Sequence, residues 1–315
     1  MTDTLVIGAG TTGLACARRL AEAGHTVLIL DKGRGIGGRM ATRRVILDGG
    51  TAQFDHGAQY VTVKSPDFAA LLRDMSGAAA IWADGSAQPH YVGLPGMSGL
   101  PRAMAGGLDV RQGIAVTALA PYSGGWRVTA GAETMNVPRV VLTIPAPQIP
   151  QLLGTHPLGD ALSRVEMAPC LTLMAAFPPK APRPFVSRAC DTHPLAWIAQ
   201  DSSKPARAGP ATTWVAQASP EWSLQHLQDA PETTVAPMLS LLCDVLGTAP
   251  SEAIYATVHR WRYARVTAPL GRAFLRSEDA SLYLGGDWCL GARVEAAWQS
   301  GTAMARDILE RDRTG

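Results

Sequence analysis

Thr4-Leu5-Val6-Ile7-Gly8-Ala9-Gly10-Thr11-Thr12-Gly13, followed after a helix-favouring run by Thr26-Val27-Leu28-Ile29-Leu30-Asp31, decides the fold. Residues 4–7 are short and fully apolar, as a strand at the centre of a parallel sheet must be. Gly8 to Gly13 turn the chain, and 14–23 are rich in Ala, Leu and Arg, which favour helix. Gly24 ends that helix, and 26–30 form a second buried strand closing on Asp31. Each glycine of this G-x-G-x-x-G has a job. Gly8 permits the tight turn, Gly10 admits a pyrophosphate to the backbone, and Gly13 lets helix and strand pack closely. The helix start, with Thr12 in its first turn, offers free N–H groups and a positive dipole end to phosphates. Asp31 is placed to accept from ribose hydroxyls. The stretch predicts a βαβ unit holding an ADP moiety; a strand–turn–helix without ligand is the alternative.

The rest of the composition narrows the class. The chain has 315 residues, 47% hydrophobic and 17% charged, enough for a large core in one elaborate domain or two interleaved ones. Net charge is +2 with no Lys/Arg block, so neither nucleic acid nor an anionic membrane surface is an expected partner. Cys16, Cys170, Cys190, Cys243 and Cys289 are widely spaced without a CxxC pair, which suits reduced thiols in a cytoplasmic setting. The seven histidines form no ligand-like spacing, so no metal is expected. No stretch approaches the ~20 apolar residues of a membrane span, and a cytoplasmic protein is the expectation.

Along the chain, 33–60 read as glycine-rich and irregular, 66–75 as helix, and 109–144 as strands with a hairpin at Ser123-Gly124-Gly125. Residues 160–270 mix strands with a helix near 231–246, and the segments 178–184 and 201–210 read as surface loops. Residues 281–286 form a strand ending in glycines, and apolar residues at 294, 298, 301, 305 and 308 repeat with helical period. The first strand and the last strand–helix belong together, with another domain between them.

Two further motifs choose the cofactor. Lys32-Gly33-Arg34-Gly35-Ile36-Gly37-Gly38-Arg39 places paired glycines before a guanidinium, which suits a backbone lying on a pyrophosphate. Far downstream, Gly285-Gly286-Asp287 ends a strand, where a carboxylate can bind ribityl hydroxyls. The helix starting at Arg293-Val294 would then point its positive end at the pyrimidine edge of a flavin. A nicotinamide dehydrogenase has no need of this second half-site, so the cofactor reads as FAD. Cys289 lies in no motif for a covalent link, so the FAD reads as noncovalent.

These pieces resemble the flavin amine oxidase superfamily. Within it, Asp31 to Met40, Asp55-His56-Gly57-Ala58-Gln59-Tyr60, Trp261-Arg262-Tyr263 and Gly286-Asp287-Trp288 resemble segments of the renalase family, although Arg34 sits four residues before Gly38, a slight departure. The resemblance implies an α/β fold: a Rossmann-like, p-hydroxybenzoate hydroxylase-like FAD-binding domain (1–75, 95–155 and 275–315) with an interleaved α+β substrate domain on an antiparallel sheet (76–94 and 156–274). It implies Gly8, Gly10, Thr12, Gly13, Asp31, Lys32, Gly38, Arg39, Val116, Asp287, Arg293 and Val294 as cofactor contacts. Gln59, Tyr60, His259, Trp261, Arg262 and Trp288 would meet the substrate. The activity implied is oxidation of isomeric dihydro forms of NAD(P)H by dioxygen, yielding NAD(P)+ and hydrogen peroxide with no side chain as acid or base, because hydride transfer between flat rings needs orientation above all. An amine oxidase or desaturase, and a flavin-binding redox sensor without turnover, remain alternatives. An amine oxidase would need an aromatic pair flanking the flavin and often a lysine near the reactive ring; Lys64 and Lys180 are the central candidates for the lysine, and neither sits in a motif. His56 beside Asp55 is no dyad, since neighbours in an extended segment face opposite ways.

Overall fold

The computed structural model describes residues 2–75 and 77–314. Its strands are β1 (Thr4–Ile7), β2 (Val27–Asp31), β3 (Thr42–Leu47), β4 (Gly50–Asp55), β5 (Ala79–Trp82), β6 (His90–Gly93), β7 (Asp109–Gln112), β8 (Val116–Tyr122), β9 (Gly125–Ala130), β10 (Glu133–Val137), β11 (Arg139–Leu142), β12 (Glu166–Phe177), β13 (Ser187–Ala189), β14 (Leu195–Gln200), β15 (Thr212–Ala218), β16 (Tyr255–Ala268), β17 (Leu275–Arg276) and β18 (Leu282–Leu284). Its helices are α1 (Thr11–Glu22), α2 (Pro66–Asp74), α3 (Gly99–Met104), α4 (Pro150–Leu153), α5 (Pro220–Gln225), α6 (Pro231–Leu246) and α7 (Val294–Asp312).

A six-stranded sheet runs β17-β18-β11-β1-β2-β7. β1 pairs in parallel with β2 and β11, and all four of its residues are buried. Alternation along β1 divides the core. Val6, with Ile29 and Val141, meets Leu14, Ala17 and Leu20 of α1 and Ala305 and Ile308 of α7. Leu5 and Ile7 meet Leu119, Trp126 and Val128 of the three-stranded β8–β9–β10 sheet on the opposite face. Where α7 crosses α1, a side chain at Gly301 would run into the Thr12 carbonyl, so glycine sets the spacing.

The second large sheet is antiparallel, in the order β13-β14-β15-β12-β16. The twelve residues of β12 alternate across it. Leu171, Leu173, Ala175 and Phe177 pack on Met238 and Leu242 of α6. Met174 and Ala176 face the other way, onto Ala52 and Phe54 of β4.

Two expectations need correcting. The stretch 33–60 is not irregular throughout, because β3 and β4 form a six-pair antiparallel hairpin. Its turn, Asp48-Gly49-Gly50, has both glycines at positive φ (+89° and +141°), the conformation a tight hairpin demands. The stretch 201–210 is not simply a surface loop either, since Asp201, Lys204 and Arg207 are buried. Among the described residues, no helix is long and apolar enough to cross a membrane.

Candidate active site

The cofactor cleft opens at the C-terminal end of β1. Gly8 has φ +112° and lies against Thr143, whose hydroxyl donates to the Ile7 and Gly8 carbonyls at 3.0 Å each. A side chain at Gly13 would collide with the Gly8 carbonyl. At Gly10 one would meet only open space, and α1 begins there without a side-chain cap. Free helix N–H groups above an open glycine make a cradle of the kind a pyrophosphate fills. Thr12 is buried in the first turn, and Gly38, at φ +54°, approaches the backbone of Gly10.

Asp31 ends β2 with its carboxylate accepting from the Ala9 and Gly33 amides, 2.6 Å each. Lone pairs remain for ribose hydroxyls. The Asp31 carbonyl accepts from Ile114, which brings the half-buried Val116 to the same end of the cleft. Lys32 lies at the surface, donating to Gln148 at 3.2 Å.

Arg39 and Asp287 meet in a bidentate pair (2.8 and 2.6 Å), and Arg39 also donates to the Ala264 carbonyl at 3.1 Å. Arg39, expected at the pyrophosphate, and Asp287, expected at the adjoining ribityl hydroxyls, therefore touch each other. Arg293 caps the start of α7 through its backbone, while its Nη1 is buried with no partner. Val294 beside it is half-buried. A buried unpaired guanidinium nitrogen costs free energy unless a ligand meets it. With the open Gly10 cradle, it makes these residues fit FAD.

The second wall is aromatic. His56 and Trp261 stack (centroids 5.4 Å, planes 20° apart), and His259 meets both edge-on at 4.8 and 4.3 Å. Trp261 Nε1 donates to the His56 carbonyl at 2.8 Å. Tyr60 stacks on His90 (3.6 Å, 9°) and tilts against Trp197 at 5.5 Å. Asp84 fixes His90 at 2.9 Å. Burial, then Asp84, pushes the Tyr60 phenol up. His56 and His259 are each driven down to about 4, first by burial; His259 and Arg43 add to this for His56, and Arg43 for His259. Both imidazoles are neutral at physiological pH. This wall reaches the cleft through the 56–60 loop: Ala58 donates to the Arg39 carbonyl at 2.8 Å, and Gln217 to the Gly57 carbonyl at 2.7 Å.

Three expected substrate residues sit elsewhere. Trp288 is fully buried in the core beside Leu5 and Leu142, its Nε1 donating to Ile144 at 3.1 Å, so it cannot wall a slot. Arg262 is exposed on the sheet face opposite His259 and Trp261, as alternation along β16 dictates. Gln59 is buried, with its carboxamide donating to the Asp55 and Gly57 carbonyls and accepting from Lys204 at 3.2 Å.

Sequence reasoning missed what lies beneath. Asp55, Asp201, Lys204 and Arg207 form a fully buried quartet. Lys204 reaches Asp201 at 2.6 Å and Asp55 at 3.3 Å, and Arg207 reaches Asp55 at 2.7 Å. Thr42 and the Met97 amide complete the shell of Asp55 at 2.7 and 2.9 Å. Burial opposes ionisation of Asp55, but Lys204 and Arg207 hold its carboxyl below the usual range. Asp201 is pushed up, by burial first and despite Lys204. One acid and two bases within the ten residues 201–210 were the available signal. Lys204 rather than Lys64 or Lys180 is the central lysine, and its ammonium is wholly committed to Asp55, Asp201 and Gln59.

Residues 79–309 match the family described as flavin containing amine oxidoreductase, and residues 6–75 match the NAD(P)-binding Rossmann-like domain. A 4,4'-diapophytoene desaturase (4,4'-diaponeurosporene-forming) of Staphylococcus haemolyticus (strain JCSC1435) is 46% identical over 72 residues, 23% of this chain and 13% of that protein. Its counterpart from Staphylococcus aureus (strain Newman) is 60% identical over 35 residues, 11% of this chain and 7% of that protein. The chain thus spans only a small part of these curated relatives. Among solved structures, a putrescine oxidase superposes with a TM-score of 0.75 at 15% identity, covering 98% of this chain and 99% of the other. A cyclohexylamine oxidase from Brevibacterium oxydans IH-35A gives 0.76 at 12%, covering 99% of each. At identities this low, the superpositions establish a shared fold and nothing more.

Proposed function

Because the chain belongs to the flavin-containing amine oxidoreductase family, we propose that it is a renalase-like oxidase of isomeric dihydro forms of NAD(P)H. The 2- or 6-dihydro isomer would give up hydride, and dioxygen would take the electrons, leaving NAD(P)+ and hydrogen peroxide. Gly10, Asp31, Arg39, Asp287 and Arg293 would hold FAD, which would supply the hydride-accepting, oxygen-reactive ring.

The observation that carries the reading is the neutral aromatic wall. Tyr60, Trp197, His56, His259 and Trp261 offer flat, uncharged surfaces, and both histidines stay deprotonated. A planar dihydronicotinamide gains from stacking on such surfaces. Asp55, the acid nearest in sequence to His56, is already paired with Lys204 and Arg207 and offers no free carboxylate to a protonated amine. The chain's own residues would thus position the ring, exclude water and move no proton. The five free cysteines suit a reducing cytoplasmic setting.

Anaerobic mixing of the holoenzyme with defined 2- and 6-dihydro isomers tests this. The flavin absorbance should be lost within seconds, then recover on admitting oxygen with one peroxide per turnover. Reduction by amines alone would establish the amine oxidase alternative, and reduction by neither would leave a flavin-binding redox module.

A further inference from the structure

We propose that Arg43 and His56 form an anion subsite beside the aromatic slot, which takes a phosphate of a nucleotide-bearing substrate. The proposal rests on the dihydronicotinamide reading above and names the part of that substrate the protein would recognise.

Register places Arg43. In the β3–β4 hairpin it stands opposite Phe54 and so shares its face. Phe54 lies 5.6 Å from the Tyr255 ring of β16, and Val45 and Leu47, alternating with Arg43, pack against the same cluster. The hairpin thus lays Arg43 over β16, where His259 shares the face of Tyr255. Arg43 is half-buried, and among the described residues its guanidinium has no hydrogen bond and no carboxylate partner. Arg44, the next residue, is exposed and points the other way.

The second observation is independent. His56 is only 6% exposed, and its Nδ1 has no partner of hydrogen-bond geometry, although the Phe54 backbone lies near the ring. Its ring is neutral, so this edge can present an N–H without adding charge. A buried donor without a partner and a half-buried cation without a counter-ion are each unfavourable alone. One phosphate answers both, since it accepts from the guanidinium and from an imidazole N–H. A cationic amine answers neither.

Calorimetric titration of oxidised holoenzyme with NAD+, nicotinamide mononucleotide and nicotinamide riboside tests the subsite without turnover. The mononucleotide should bind about tenfold or more tightly than the riboside, as a charge-assisted contact provides. Arg43→Gln should erase that difference by weakening the mononucleotide, and should not weaken the riboside, whose pyridinium ring is cationic. Arg43→Lys should keep part of it, and Arg44→Gln should keep all of it. Equal loss in Arg43→Gln and Arg44→Gln would reduce the effect to bulk charge and overturn the subsite, as would equal wild-type affinity for mononucleotide and riboside. Should Arg43→Gln fail to fold, salt decides on the wild type: mononucleotide affinity must fall with ionic strength while the affinity of the cationic riboside does not fall. If Arg43 governs nucleotide binding but no dihydro isomer reduces the flavin, the subsite stands and the oxidase reading falls.

Discussion

Lys204→Met should destabilise the protein by about 3–5 kcal/mol, the usual consequence of removing one partner from a buried ionic group. Lys204 is fully buried, with Asp201 at 2.6 Å, Gln59 at 3.2 Å and Asp55 at 3.3 Å. Its loss leaves two buried carboxylates facing one guanidinium. Arg207 still holds Asp55 at 2.7 Å, so the uncompensated charge falls on Asp201, which has no other ion pair among the described residues. Asp201 is already pushed up by burial, and losing its cation pushes it further. A carboxyl raised in the folded state contributes stability at low pH and loses it as pH rises through the folded value. The deficit of Lys204→Met should therefore widen between pH 5 and pH 8. Asp201→Asn placed on Lys204→Met removes the orphaned charge and should restore about 2 kcal/mol, although Asp201→Asn alone destabilises. Urea unfolding of the holoprotein, followed by tryptophan fluorescence at both pH values, measures each corner of the cycle. A single-variant loss below about 1 kcal/mol, or two losses that simply add, would refute the quartet as a coupled unit.

Other outcomes follow from the cleft. Gly10→Ala should leave the apoprotein nearly as stable while weakening FAD binding, because its new methyl meets only the cradle; Gly13→Ala should fail to fold stably, because its methyl meets the Gly8 carbonyl. Asp31→Ala should weaken FAD retention at least about tenfold in equilibrium dialysis, and unchanged affinity would remove the ribose assignment. His56 falls from an ordinary 6.5 to about 4, so its contribution is intact above pH 6.5 and lost as pH drops towards 4. Its full weight is about 3 kcal/mol, and His56→Asn should make the urea midpoint depend less steeply on pH across that window, leaving the part that His259 contributes. Burial pushes the Cys289 thiol up to about 12, so the native protein should resist alkylation there and acid precipitation should release all FAD unmodified.

The cofactor half of the fold was legible because its signals are local. A strand, three glycines, a helix and an acid are consecutive in sequence, and each constraint acts within a few residues. The substrate half depends on alternation and on distant partners. Period-two reading of β16 separates Trp261 from Arg262, but only once the strand's facing is known. Trp288 lies in a segment matched to the family yet fills the core, since a large apolar ring next to Asp287 is free to turn away from the cleft. Lys204 and Arg207 stand among Ser, Pro and Gly in a stretch whose composition suits a loop at the surface. Their burial is decided by Asp55, some 150 residues earlier.

Asp55-His56-Gly57-Ala58-Gln59-Tyr60 shows how a site can be uncharged while resting on charges. Alternation sends Asp55 and Gln59 down into the quartet and His56 and Tyr60 up into the slot. Gly57 has no side chain because one would enter the Arg39 backbone, and Ala58 donates to the Arg39 carbonyl. Every residue of the segment thus serves one of three layers: buried ions, cofactor loop or aromatic wall. Four formal charges that sum to zero add rigidity below the slot while leaving little net field within it. A field from an unpaired Asp55 would favour protonated imidazoles and cationic ligands. Pairing it with Lys204 and Arg207 instead leaves Arg43 beside His56 and His259 without a carboxylate of its own among the described residues, so the same arrangement that keeps the ring site neutral gives that edge a preference for anions.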